Sequence, residues 1–273
     1  MKKLVPILAI YILIGWTVLI FQNFKLFFIE FPGYDKKQIM DTGRPKPQEI
    51  PAQNSYDKLA AMHIASARYK DAINMLIRLL ESEARYNDNI VIKKFPLNVN
   101  VNPLRCWRYL HAIDSLSLIF RLGERLNIPE SEMRNILSEY MEGVDHPESL
   151  QEYVVALEYR LSFRRFEDID ELFNRFRKYL HSNPWIEYHH PFLYYYPYLR
   201  GRFLLLSHEY REAEQYLGLA LKFRPENNGI AYYDLVNVYL KTKQDEKARL
   251  AVNSQLDRPR DTAEFMFFKS LRR

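Results

Sequence analysis

The most metal-like group in this chain is His181, Glu187, His189 and His190. A bound ion needs several donors converging on one point. Adjacent histidines in an extended segment project to opposite faces, so His189 and His190 do not turn easily to one ion. Glu167, Asp168, Asp170 and Glu171 offer paired carboxylates, the equipment of general acid–base chemistry. They fall at the start of an expected helix, where the positive end of the helix dipole already accounts for acids. Cys106 is the one cysteine; beside Trp107 on an apolar-patterned helix it reads as a buried thiol rather than a nucleophile. The 8 glycines are scattered, and no phosphate-loop G-x-x-x-x-G-K, dinucleotide G-x-G-x-x-G, zinc-binding H-E-x-x-H or nucleophile elbow G-x-S-x-G occurs. The sequence therefore calls for no catalytic residue, no metal and no cofactor.

What must position these residues is helical. The 273 residues are 48% hydrophobic, enough for a substantial core, and so few glycines argue against a sandwich or barrel rich in tight turns. The 20 tyrosines and 17 phenylalanines read mainly as bulky packing between helices. Of the net charge of +5, Lys2, Lys3 and Lys25 against Glu30 account for +2. The rest is too balanced for the basic stripe of a nucleic-acid binder, so none is expected as a partner. A single cysteine forms no disulfide within the chain, which fits the cytoplasm and the periplasm equally.

Leu4 to Phe24 contains no charge and follows Lys2 and Lys3. At about 1.5 Å per residue this run spans the roughly 30 Å apolar core of a bilayer. It is longer than the apolar part of a cleaved signal peptide and runs on into bulky residues without a small-x-small site, so residues 1–32 read as an uncleaved signal anchor. Basic residues flank the run on both sides, and the Met-Lys-Lys start places the amino terminus in the cytoplasm. Residues 33–52, with Pro45, Pro47 and Pro51, form a semi-extended linker. The expectation is a single-pass protein of a bacterial inner membrane with its body in the periplasm.

From residue 53 to 273 helix pairs follow one another. The clearest is 194–227, YYYPYLRGRFLLLSHEYREAEQYLGLALKFRPEN. Gly201 sits mid-way along its first helix, Tyr210 fills the turn, Ala213 and Ala220 fall on one face of the second helix, and Pro225 stops it. Residues from Asn54 repeat the pattern with Ala60, Tyr69 and Ala72, although Leu79 stands where an alanine is expected. Residues 147–180 give a degenerate pair with Phe166 in its turn. A last pair keeps Ala248 but has Val236 at the small-residue position. Leu104–Asn127 reads as a long amphipathic helix, and Pro129 opens another running to about Met141. Residues 87–103 break the helical period and form either a small hairpin or an irregular insertion. Asp261–Glu264 is a capping-box pattern opening a C-terminal helix over 261–272. That helix either caps the array or docks a partner or lipid surface, and the cap is favoured because an open end would expose a large apolar face.

These pairs resemble the tetratricopeptide repeat, a helix–turn–helix unit of about 34 residues. The resemblance implies an all-α solenoid that holds protein partners. Carried over by position, it implies an inner binding face lined by Tyr195, Tyr198, Arg202, Tyr233, Asn237 and Lys241, suited to an extended peptide with apolar and acidic residues. Chaperone-tail clamps of this family want lysine or a similar polar group where Tyr198 and Tyr233 stand, so only Asn237 matches such a clamp. The expected function is a membrane-anchored scaffold that recruits partner proteins to a membrane or cell-envelope complex. The alternatives are an accessory subunit of a membrane enzyme complex held mainly by its transmembrane helix, and a cytosol-facing receptor.

Overall fold

A computed structural model describes residues 53–86, 103–183, 190–224, 229–256 and 262–270, all within one compact unit, Pro47–Arg273. The expected anchor at 1–32, the linker at 33–52 and the insertion up to residue 102 lie outside the described residues. Among those described, no helix is long and apolar enough to cross a membrane.

The described body is all-helical, with eleven α-helices among these residues. They are α1 (Gln53–Ala65), α2 (Tyr69–Tyr86), α3 (Pro103–Leu126), α4 (Glu130–Ile136), α5 (Leu150–Ser162), α6 (Ile169–Ser182), α7 (Tyr195–Leu206), α8 (Tyr210–Phe223), α9 (Gly229–Lys241), α10 (Asp245–Leu256) and α11 (Ala263–Lys269). Short 3-10 helices occupy Ser138–Tyr140 and His190–Tyr194. The expected Pro129 helix is interrupted. Pro129 is its N-cap, α4 ends at Ile136, and a 3-10 turn takes up the rest.

Four hairpins, α1–α2, α5–α6, α7–α8 and α9–α10, close with the same turn. The second residue after the first helix takes a left-handed conformation: Ala67 (φ 57°), Arg164 (φ 55°), His208 (φ 66°) and Lys243 (φ 58°). The next N–H then reaches back across the turn: Arg68 to His63, Arg165 to Arg160, Glu209 to Leu204 and Gln244 to Tyr239, each at 2.8 Å. This is the helix-ending geometry that satisfies orphan carbonyls of the last turn. A common turn sets a common register for what packs beyond it. Ala72, Ala213 and Ala248 occupy equivalent places on their second helices, and all are buried.

Close approach is most demanding between α7 and α8. A Cβ on Gly201 would lie 2.7 Å from Leu217 Cγ and 3.0 Å from the Leu217 backbone nitrogen. Ala213, Leu217 and Ala220 are buried against that helix. Helix α5 begins with a true capping box. The Ser149 hydroxyl accepts from the Glu152 N–H at 3.2 Å, and the Glu152 carboxylate accepts from the Ser149 N–H at 3.0 Å. Asp261, where the C-terminal box was expected to begin, lies outside the described residues. Thr262 is the N-cap, its hydroxyl accepts from the Phe265 N–H at 3.3 Å, and no acid stands opposite to reciprocate.

Helix α11 joins the two ends of the body, packing against both α1 and α9. Phe265, Phe267 and Phe268 are buried. Asp57 on α1 accepts from the Ala263 N–H at 3.2 Å, and Arg125 on α3 donates to the Ser270 hydroxyl and, at 3.2 Å, to its carbonyl. An acid at the helix start and a cation at its end both complement the dipole. Gly229 leaves room for this contact, since an added Cβ would lie 2.5 Å from the Glu264 carbonyl oxygen.

Gly201→Val is expected to force α7 and α8 apart and to cost roughly 1–3 kcal/mol in chemical denaturation. Gly218→Ala, where nothing lies within 4 Å of the new Cβ, is expected to raise stability by about 0.5–1 kcal/mol.

Candidate functional site

Helix α3 carries its charges in a stripe. His111, Asp114, Arg121 and Arg125 recur at helical spacing, with Glu124 alongside. That pattern ordinarily marks a solvated face. Here the stripe turns inward, because the helices that surround α3 carry complementary charges in otherwise apolar runs.

Asp114 receives two hydrogen bonds from the Arg224 guanidinium, at 2.7 and 2.6 Å. The Tyr195 hydroxyl donates to the same carboxylate at 2.7 Å. Arg121 pairs with Asp234 of α9 and lies 3.5 Å from Glu124. Arg202 of α7 pairs with both Glu124 and Glu158 of α5, and donates to the Ser162 hydroxyl at 3.2 Å. The Tyr198 hydroxyl donates to Glu158 at 3.0 Å. Arg202 and Glu158 are both 0% exposed, so neither charge has water to fall back on.

Electrostatics follows from that burial. Arg202 is pushed down to about 10 by desolvation, opposed by Glu124. Burial also opposes the charge on Arg121, but Asp234 and Glu124 outweigh it and hold the guanidinium above its usual value. Glu124 is lowered: burial works against it, and Arg202 and Arg121 prevail. Glu264, whose carboxyl lies near Asp114 and Asp57, is raised from 4.5 to about 8, first by burial and then by Asp114, with Arg224 opposing. Together Asp57, His111, Asp114, Ser115, Thr262 and Glu264 line most of a cavity of about 50 Å³.

Of the six positions expected to face a partner, three are buried within this chain. Tyr195, Tyr198 and Arg202 are buried against α3 and α5. Tyr233 is partly buried, its ring 4.8 Å from that of Phe267 and 5.3 Å from the Arg121 guanidinium. Asn237 is partly buried and Lys241 is exposed at the end of α9. The structure thus gathers Tyr198 and Arg202 on Glu158 and places Tyr195 on Asp114, but leaves Lys241 outside the cluster. For Tyr195, Tyr198 and Arg202 the expected role as an accessible peptide-binding surface does not fit this placement, because their polar groups are taken up by α3 and α5. Asp57, Asp114, Arg121, Glu124, Glu158, Arg224 and Asp234, which complete the arrangement, carry no role in the sequence analysis, and Glu264 enters there only as part of a capping box. Their signal was present as lone charges of both signs inside apolar helical runs.

The other candidate groups divide between described and undescribed residues. His181 is exposed, while Glu187 and His189 fall outside the described residues, as do the side chains of His190, Cys106 and Trp107. Asp168 is the N-cap of α6 without a side-chain capping bond, and Asp170 pairs with Arg200. Among the described residues no group of three or more His, Cys, Asp or Glu is arranged to hold a metal ion. No family model, curated protein or solved structure matches this chain.

Arg202→Ala leaves Glu158 and Glu124 without their shared cation. It is expected to lower unfolding free energy by about 3–5 kcal/mol. Lys241→Ala, on the exposed end of α9, is expected to stay within roughly 0.5 kcal/mol of wild type in the same denaturant titration.

Proposed function

We propose that this chain is a membrane-anchored scaffold of tetratricopeptide-like hairpins that recruits protein partners to a cell-envelope complex. In this reading residues 4–24 cross the inner membrane, the hairpin body stands in the periplasm, and the body acts by binding, without a cofactor. The observation that carries it is the shared turn of the four hairpins, with the same back-reaching hydrogen bond in each and an equivalent buried alanine in three of them. Repeated helical pairs with a common register are the working part of many binding solenoids, an argument by analogy of fold.

The burial of Tyr195, Tyr198 and Arg202 moves the proposed contact away from the inner face. Leu240 (53% exposed) and Leu250 (56%) stand out on the last hairpin, α9–α10, and the exposed Lys241 follows Leu240 in the chain. The same burial also favours a second reading, a subunit of a membrane enzyme complex held through residues 4–24.

Crosslinking in native membranes separates the two. The full chain is compared with Leu240→Glu/Leu250→Glu and with a version whose residues 4–24 are replaced by an unrelated span. The scaffold reading expects the dominant crosslinked protein to be lost from the double variant and kept after the anchor swap. Loss on the swap alone contradicts it and supports the membrane-held subunit.

A further inference from the structure

The contact between the first and last described helices is built unlike the others. Asp57 of α1 takes the Ala263 N–H at the start of α11 across 206 positions of chain. Glu264, the next residue, lines the same cavity, as does Asp114 of α3. Three carboxyl groups from three helices therefore converge where α11 docks. The cation opposite them is Arg224, and its guanidinium already makes two bonds to Asp114. His111 of α3 lines the cavity too, and its Nδ1 is buried with no hydrogen-bond partner among the described residues. Tyr194, from the 3-10 turn before α7, is near enough to feel the Glu264 charge, and the Gly229 N–H of α9 bonds to Glu264.

From this joint we infer that α11 is a proton-held latch: it stays docked while Glu264 is neutral and loosens from α1 and α9 when Glu264 ionises beside Asp57 and Asp114. Glu264 is partly buried, and like charges brought together in such a confined site disfavour the ionised form. Docked, Glu264 keeps its proton up to about 8; released into water it returns towards its usual 4.5. Between those values the docked form binds more protons than the released form. Docking therefore weakens as pH rises through that window, and the weakening levels off once Glu264 is ionised in both forms. Asp57, also raised by burial, pulls in the same direction. Release would uncover the buried faces of Phe265, Phe267 and Phe268 and the surfaces of α1 and α9 that they cover.

Hydrogen exchange of the full chain, corrected for the intrinsic pH dependence of exchange, reads this directly. From pH 6 to pH 9 the opening equilibrium of amides in Ala263–Lys269 is expected to rise on the order of 10- to 100-fold, while amides of α7 and α8 hold their protection. Glu264→Gln keeps the shape without the charge and is expected to flatten that rise. Asp57→Asn removes one of the charges that raise Glu264, and is expected to move the midpoint to lower pH. A wild-type profile with no rise, or the same rise in Glu264→Gln, overturns the latch. So does an equal rise in α7 and α8, which would mean global loosening. Should Glu264→Gln fail to fold, an unmoved midpoint in Asp57→Asn overturns it.

Discussion

The body depends on pairing the buried and half-buried charges of α3 with charges on the helices around it. Asp114 meets Arg224 after α8, Arg121 meets Asp234 on α9, and Glu124 meets Arg202 on α7, which in turn holds Glu158 on α5. Pairs of this kind add little stability over well-packed apolar side chains, because desolvating both ions offsets most of their attraction. What they do is penalise misalignment. Sliding α3 by one turn would leave carboxylates and guanidiniums buried without partners, at several kcal/mol each. Apolar faces of stacked helices tolerate slippage far better. The charges on α3 thus select a single register for α5, α7 and α9 about it.

A second constraint lies at the ends. An open stack of helical pairs exposes apolar surface at both termini and usually needs separate caps. Here the short helix α11 packs against both α1 and α9, held by Asp57 at its start and by Arg125 at its finish. Arg125 also sits 5.1 Å from the Tyr69 ring and 5.8 Å from that of Phe267, linking the first hairpin to α11 through one guanidinium. The cavity beside Glu264 is the weak part of this arrangement. It collects acid where the rest of the core balances its charges.

Much of the helical pattern was legible in the sequence because it depends on neighbours in the chain. Gly201, Ala213 and Ala220 mark a tight helix pair by residue size alone, and the Leu217 contact bears that out. The amphipathic helix expected from Leu104 is α3, displaced by a residue at each end. What sequence spacing could not give was the direction of its charged stripe. A polar face looks the same in sequence whether water or an opposing charge satisfies it. The deciding partners lie 78 residues away for Glu124, 110 for Asp114 and 113 for Arg121. For the same reason the inner positions carried over from the repeat family were expected to be open. Nothing local to Tyr198 or Arg202 announces that a helix inserted between two hairpins folds back over them. The capping box at Ser149 was also missed, although its signature is local; the nearby Pro147 drew the expected start three residues early.

With Tyr195, Tyr198 and Arg202 held by α3 and α5, these aromatic and arginine side chains are architecture. Hydroxyl-radical footprinting of the full chain in membranes tests that most directly. Tyr195 and Tyr198 should stay unmodified under conditions that oxidise Met62, Leu240 and Leu250, which are exposed, and should do so with no partner present. Ready modification of Tyr198, relieved only when a partner is added, would mean that α3 does not cover this face and that the inner groove is open after all.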